Sequence, residues 1–416
     1  MQAVIMAAGE CSRFWPLNLK HKTLIKLLGE PIIFGLVKDL RRAGIKDIII
    51  VRYPKTDIEK EIGKEGIKYV VQSKPTGEGD ALLRAEHLIN SEQFFAVNAD
   101  QQDVDERLPL IINKFKKSKN KLIVIGSPTK TPWIFGIFKL KGERVLEIVE
   151  KPIKGKEPSN IKNIGDYFLP KDIFKYLKRI PSHPYSSVWA VFLYAKENPV
   201  GLVRLKKETA FLKYPWNLFE IMKSKMAKPG FKSFISPSAK VGKNAVISGR
   251  VYISDGVRIG ENTVISGPCY IGKNCEIGAN NVLRGPINLE KGVKTGAFME
   301  IKSSIIEENT HFHSGYLGDS IIGPNCRFGG GFVSANRRLD RKNIFSEVKG
   351  QDIDTGLTYF GAVIGANTKF GIHCGIMPGV FVGSNCIVGP GSLIFENIPD
   401  KKFVRLNRQI VKITDR

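Results

Sequence analysis

No stretch of this chain is apolar for long enough to span a bilayer. Its opening, MQAVIMAAG, carries no basic leader, so the sequence predicts a soluble, cytoplasmic protein. Histidine is scarce, six in 416 residues, which leaves little material for imidazole metal clusters. Cysteine is as scarce, and five of the six (Cys269, Cys275, Cys326, Cys374 and Cys386) fall on one beat of a repeating pattern. Packing accounts for them better than disulfides or metal ligation. Acid is in deficit: 40 Asp and Glu against 64 Lys and Arg give a formal charge of +24. That charge points to anionic partners. The basic residues are scattered, however, with KKSKNK at 116–121 the densest run, and no nucleic-acid module is recognisable. Phosphorylated small molecules are therefore favoured over nucleic acid or membrane.

The length allows two or three domains, and the pattern that separates them lies in the second half. An aliphatic residue stands on every sixth position at Ile235, Val241, Ile247, Ile253, Ile259, Ile265, Ile271, Ile277, Leu283 and Leu289. The beat returns at Ile364, Phe370, Ile376, Val382, Val388 and Ile394. A period of six fits neither a helix nor a flat strand, but it fits a β-helix that presents one inward side chain per edge. Four positions on, a small side chain suits a tight corner, as at Ala239, Ala245, Cys269, Cys275, Cys326, Cys374, Cys386 and Ser392. Between Leu289 and Ile364 the rhythm loosens, and interruptions of a solenoid commonly hold its functional loops. Lys228-Pro229-Gly230 is the break before this region. The expected domains are residues 1–230, 231–400 and a basic tail, 401–416.

The first domain alternates short aliphatic strands (Ala3–Ala7, Asp47–Arg52, Lys68–Gln72, Phe94–Asn98, Leu122–Gly126) with amphipathic helices (Ile32–Ala43, Gly79–Ile89, Leu108–Lys117). That order predicts an α/β fold with a mostly parallel sheet, whose ligands sit beyond the carboxyl ends of the strands. The loop after the first strand, Ala7-Ala8-Gly9-Glu10-Cys11-Ser12-Arg13-Phe14-Trp15-Pro16-Leu17, is small where a backbone must approach phosphates, and Arg13 and Lys22 follow as cations.

With Gly29-Glu30-Pro31-Ile32, this loop resembles the opening signature of sugar-1-phosphate nucleotidylyltransferases, which have a Rossmann-like fold and release pyrophosphate from a nucleoside triphosphate. The resemblance implies phosphate contacts at Ala8, Gly9, Arg13 and Lys22, and base contacts at Gln72 and Gly77. It further implies Mg²⁺ on Asp100 of Asn98-Ala99-Asp100, and sugar contacts around Phe135-Gly136, Glu150-Lys151-Pro152 and Asn163-Ile164-Gly165, ahead of Pro215-Trp216. UTP or dTTP is the nucleotide expected. Five positions depart from that family: Cys11 stands where it has a second glycine, Ser12 for Thr, His21 for Pro, Glu78 for Thr, and Phe211 where it has a second metal ligand. Phosphoryl transfer needs a positioned cation, so Phe211 weakens the expectation of nucleotidyl transfer.

The six-residue repeat resembles that of left-handed parallel β-helix acyltransferases, which implies hexapeptide coils, a homotrimer and acyl-coenzyme A as co-substrate. Within the loosened region, His311-Phe312-His313-Ser314-Gly315-Tyr316-Leu317-Gly318-Asp319-Ser320 and Ser334-Ala335-Asn336 with Lys342 resemble the acetyltransferase half of bifunctional enzymes that acetylate and then uridylylate glucosamine 1-phosphate. The resemblance implies His313 as catalytic base, Tyr316, Asn336 and Lys342 ordering the sugar phosphate, and Arg284 and Lys302 contacting its phosphate. A near-neutral imidazole suits removal of a proton from an amine that attacks acetyl-CoA. Arg327 and Phe345 depart from the pattern. In the tail, Arg405, Arg408 and Lys412 could meet coenzyme A phosphates. Two other readings stay open: a nucleotidylyltransferase whose β-helix is only a scaffold, and a regulatory subunit that binds a nucleotide sugar without catalysis.

Overall fold

The structure, a computed structural model, describes residues 1–142 and 144–406. Arg408 and Lys412 lie outside the described residues. The chain divides into two compact units: residues 1–10, 23–25 and 31–211 form the first, and 11–22, 26–30 and 212 onward the second.

The first unit is built on a sheet whose strands follow the order Val200–Arg204, Leu122–Pro128, Ile161–Pro170, Gln93–Asn98, Gln2–Ala7, Asp47–Arg52, Ile67–Val71. Its parallel half is apolar on both faces; Ala3, Val4, Ile5, Ile48, Ile49 and Ile50 are all fully buried, as a sheet covered on both sides requires. Helices Ile32–Arg42, Glu78–Ala85 and Val104–Lys117 supply the cover. The strand Ile161–Pro170 runs antiparallel to both its neighbours, and with Gly136–Lys141, Arg144–Glu150 and the helix Ser186–Glu197 it was not apparent from alternation alone. Arg107 pins a helix to this strand: its Nε and a terminal nitrogen donate to Asp166 Oδ2 at 3.0 and 2.6 Å. Burial raises the Asp166 carboxyl above its ordinary value, against the pull of Arg107.

The second unit is a parallel β-helix of three sheets. Ile235, Ile253, Ile271 and Leu289 stack at 18-residue steps, three edges of six per coil. The coil runs unbroken through 300–334, because the loosened rhythm comes from shortened edges: Ile306 pairs with Leu289 after 17 residues, and Ile322 with Ile306 after 16. The true departure is one excursion between Ser334 and Ile364, containing the antiparallel hairpin Phe345–Val348 and Gln351–Asp354. Inside, aliphatic rungs give way to a column of rings: Phe312, Phe328 and Phe370 stack with centroids 4.4 and 5.1 Å apart. Not every residue on the beat is enclosed. Ile235 and Val241 are 48% and 44% exposed, since the first coil has no neighbour on its outer side.

Asparagine holds many corners. Asn244, Asn262, Asn274, Asn280, Asn309, Asn325, Asn367 and Asn385 all take φ of 56–60°, the left-handed conformation that asparagine tolerates better than other side-chain-bearing residues. The five corner cysteines are buried and free, and burial pushes Cys269, Cys275 and Cys326 up to about 12. These thiols are packing groups.

The boundary expected at residue 230 differs from this division. Aromatic packing draws 212–230 into the second unit: Trp216 lies 6.0 Å from Phe360 and 6.3 Å from Phe381, and Trp15 lies 6.1 Å from Phe381. Asn288 and Glu290 accept the backbone N–H groups of Leu28 and Gly29 at 2.7 and 3.1 Å, which holds 26–30 to the coil. Phe403–Val404, expected in the tail, forms a further strand on Ile387–Val388, with Arg405 exposed just beyond it.

Candidate active site

Successive coils of the second unit stack Arg284, Lys302 and Gly318 in register, and beside them Glu300, Tyr316 and Val333. Alternation sends Leu283, Ile301 and Leu317 inward, so the polar side chains face out from one sheet. There they form a network. Asn336 donates its amide to Tyr316 Oη at 3.0 Å and to Asp319 Oδ2 at 2.6 Å, and Lys302 Nζ bonds the same carboxylate oxygen at 3.0 Å. A Cβ on Gly318 would stand 2.4 Å from Tyr316 Oη and 2.6 Å from Asn336 Nδ2, so glycine is what lets the two meet. Burial, followed by the charge of Asp319, raises the Tyr316 phenol and keeps it protonated as a donor.

His313 is exposed at the entrance of the strand Gly315–Gly318, held by its own N–H to Phe328 O at 2.9 Å. Its ring lies against Gly330, where a Cβ would stand 3.0 Å from Cδ2. One coil on, His373 lies against Gly331, a second imidazole the sequence reading passed over. Two residues before His313, burial followed by the charges of Arg327 and Lys294 lowers the His311 pKa.

The structure brings Tyr316, Asn336 and Lys302 together, while Arg284 and Lys342 stand outside that network. Arg284 is ion-paired to Glu300 at the surface, with about half of its side chain exposed. Lys342 sits exposed on the excursion, its N–H on Asp340 at 3.2 Å and its ammonium joined to none of the network. In its place two residues missed by sequence complete the cluster: Tyr359, whose ring lies 4.2 Å from Lys302 Nζ, and Arg337, which stacks on that ring at 4.7 Å and donates to its hydroxyl at 2.7 Å. Tyr359 closes the excursion, so only the return of the coil brings it back.

The expected nucleotide residues are more heavily engaged. Ala8 is buried, and Gly9 is exposed with room for a Cβ. In the segment 11–22, Cys11 takes φ 54°, a conformation glycine adopts without strain, and its sulfur accepts Lys22 N–H at 3.4 Å. The Lys22 ammonium donates to Leu212 O at 2.6 Å, and Arg13 is exposed.

Within the first unit, Gln72 is buried with its amide N–H₂ given to Gly77 O and Asp80 at 3.0 and 2.8 Å. Gly77 is covered, since a Cβ there would stand 2.4 Å from His183 O. Glu78 fills the gap beyond, accepting from Asn98 Nδ2 at 3.1 Å and Ser187 Oγ at 3.0 Å. Glu150 closes over Gly136, Lys151 lies 5.9 Å from the Tyr185 ring, and Asn163 bonds Tyr167 Oη at 2.6 Å.

Mg²⁺ that accompanies a nucleotide is held by one or two carboxylates and the substrate's own phosphates, and Asp100 is the carboxylate expected to hold it here. Among the described residues no group of three or more His, Cys, Asp or Glu could hold a metal. At the position where the family has a second metal ligand, Phe211 packs on Phe135 at 5.0 Å, and the buried ammonium of Lys162 lies 4.9 and 4.5 Å from their ring centroids. A cation already resides there, bonded to Glu208 at 3.2 Å and Thr209 O at 3.0 Å.

Comparison with known proteins places both units. Residues 2–192 match the nucleotidyl transferase family, and residues 250–285 and 361–396 match the bacterial transferase hexapeptide repeat. A bifunctional protein GlmU of Methanococcus maripaludis is 36% identical over 99% of this chain and 98% of its own length. A bifunctional sugar-1-phosphate nucleotidylyltransferase/acetyltransferase of Sulfurisphaera tokodaii is 31% identical over 98% and 100%. A UDP-glucose pyrophosphorylase structure from Acinetobacter baumannii is 20% identical with a TM-score of 0.49, over 55% of this chain and 94% of that one.

Proposed function

The chain belongs to the family of bifunctional sugar-1-phosphate nucleotidylyltransferase/acetyltransferases, two-part transferases with a left-handed β-helix, and from that premise we propose which of its two sites carries the activity. The second unit transfers the acetyl group of acetyl-CoA to the amine of glucosamine or galactosamine 1-phosphate. His313 takes the amine proton as nitrogen attacks the thioester carbon; the tetrahedral intermediate collapses and expels coenzyme A as its thiolate. Tyr316 and Asn336 orient the sugar, and Lys302 faces its phosphate. The observation that supports this reading is the network of Tyr316, Asn336, Asp319 and Lys302, drawn from neighbouring coils, with His313 three residues before Tyr316 in the chain.

Nucleotidyl transfer by the first unit is the weaker activity. Gln72 and Glu78 are bonded within the fold, and the Lys162 ammonium lies 4.9 Å from the ring of Phe211, the position where the family has a second metal ligand. A homotrimer is favoured by exposed apolar side chains on the outer side of the sheet that carries the acetyltransferase residues: Val246, Val264 and Val282 in adjacent coils, with Val333 and Leu393 on the same line beyond Glu300, Tyr316 and Gly375.

Thiol release from acetyl-CoA with each amino-sugar 1-phosphate, for wild type and His313→Ala, tests the acetyl transfer; pyrophosphate release from UTP and dTTP runs alongside. Thiol release abolished by the substitution, with little pyrophosphate, is expected. Pyrophosphate without thiol release would leave the β-helix a scaffold.

A further inference from the structure

Lys302 and Arg337 share one aromatic ring. The ammonium lies 4.2 Å and the guanidinium 4.7 Å from the Tyr359 centroid, so each gains from the ring while repelling the other. The acid at hand, Asp319, bonds Lys302 and Asn336 through the same oxygen. Arg284 and Glu300 neutralise each other, as do Arg338 and Asp340. Two cations against one carboxylate leave a surplus positive charge. Arg337 also carries a buried Nε with no hydrogen-bond partner, and its other contact here is a tyrosine hydroxyl, which bears no charge. An orphaned guanidinium N–H beside a second cation calls for an acceptor with several anionic oxygens, which is the description of a phosphate monoester.

We propose that Arg337, set against Lys302 by Tyr359, binds the phosphate of the acceptor sugar and makes the acetyl transfer selective for phosphorylated over free amino sugars. The proposal rests on the acetyltransferase reading and adds a specificity residue to it. Arg337 touches the phosphate, remote from the amine, so its loss weakens acceptor binding and leaves the chemical step alone.

The test is steady-state thiol release by the full-length protein with glucosamine 1-phosphate, galactosamine 1-phosphate and free glucosamine, for wild type, Arg337→Gln and Arg337→Lys. In Arg337→Gln the KM for the preferred sugar phosphate rises about 10- to 100-fold, as removal of charge-assisted hydrogen bonds predicts. The kcat stays within about threefold, and the preference in kcat/KM for phosphorylated over free sugar falls by a like factor. Arg337→Lys restores part of it. An unchanged KM for the sugar phosphate overturns the proposal. A rise confined to the KM for acetyl-CoA also overturns it, because the phosphate bound would then be the coenzyme's. If wild type acetylates no amino sugar, the acetyltransferase reading fails, and calorimetric titration with glucosamine 1-phosphate decides the site separately: binding lost in Arg337→Gln supports it, and binding equal in both proteins or absent from wild type ends it.

Discussion

Gly330→Ala tests His313 without altering it. Gly330 has no left-handed φ, so alanine meets no backbone strain, and the new methyl stands 3.0 Å from the imidazole Cδ2. Carbon atoms pack best at about 3.5–4.0 Å, so the ring must retreat by roughly 0.5–1 Å. A general base works within about 2.6–3.2 Å of the atom it deprotonates, and a retreat of that size takes it out of range. Misplacement by about 1 Å can cost on the order of 100-fold. The expected result is a 10- to 100-fold fall in kcat for thiol release, with KM for acetyl-CoA and the unfolding midpoint little changed. Alanine at this site relieves unfolded-chain entropy by about 0.4–1 kcal/mol, so lost folding cannot masquerade as lost catalysis. Gly331→Ala is the contrasting case: at φ 73° and 2.5 Å from His373 Nδ1, it lowers stability as well. A Gly330→Ala protein whose kcat stays within twofold of wild type would refute the assignment of His313 as base.

Arg107→Met leaves Asp166 buried without its partner and lowers stability by about 3–5 kcal/mol at neutral pH. Because burial already raises the Asp166 carboxyl in the folded wild type and losing Arg107 raises it further, the loss relative to wild type grows as pH rises through that raised folded value and shrinks below it; urea unfolding across the acid to neutral range checks the sign, and a pH-independent loss would contradict it. Glu78→Thr removes an acid bonded to Asn98 and Ser187; if that acid blocks the base-binding segment, calorimetry shows UTP binding strengthened about tenfold, on the order of 1–2 kcal/mol for one like charge removed at an effective dielectric near 20.

The β-helix was legible because its inward residues repeat on one beat with one chemistry, and the first sheet because its parallel strands are apolar runs between helices. What stayed hidden depends on contacts between residues far apart in sequence. The shortened edges at Ile306 and Ile322 shift the beat by one residue, so a strict count of six loses it there. Nothing local marks Tyr359 as the partner of Lys302, since 57 positions and a hairpin separate them. The asparagine corners were visible and went unread: each sits three places after an inward aliphatic residue, where the chain turns left-handed. Departures such as Glu78 and Phe211 could be seen from sequence as losses, but only the fold gave their replacements, an internal hydrogen-bond pair in one case and a resident lysine in the other.

Stacked coils make position a matter of two whole numbers: which coil, and which place along its edge. Neighbouring strands are about 4.8 Å apart, so a side chain moved to the next coil travels that far and no less. Point substitutions can change the chemistry at a place or nudge one side chain, but they leave the backbone of every coil where it is. Finer adjustment needs a change of edge length, and the edges around Ile306, Leu317 and Ile322 are where this chain has lost single residues, at the level of Lys302, His313 and Tyr316. Deleting or restoring one residue there would retune the site, while the same edit among the regular coils from Ile253 to Leu289 would only misalign a ladder.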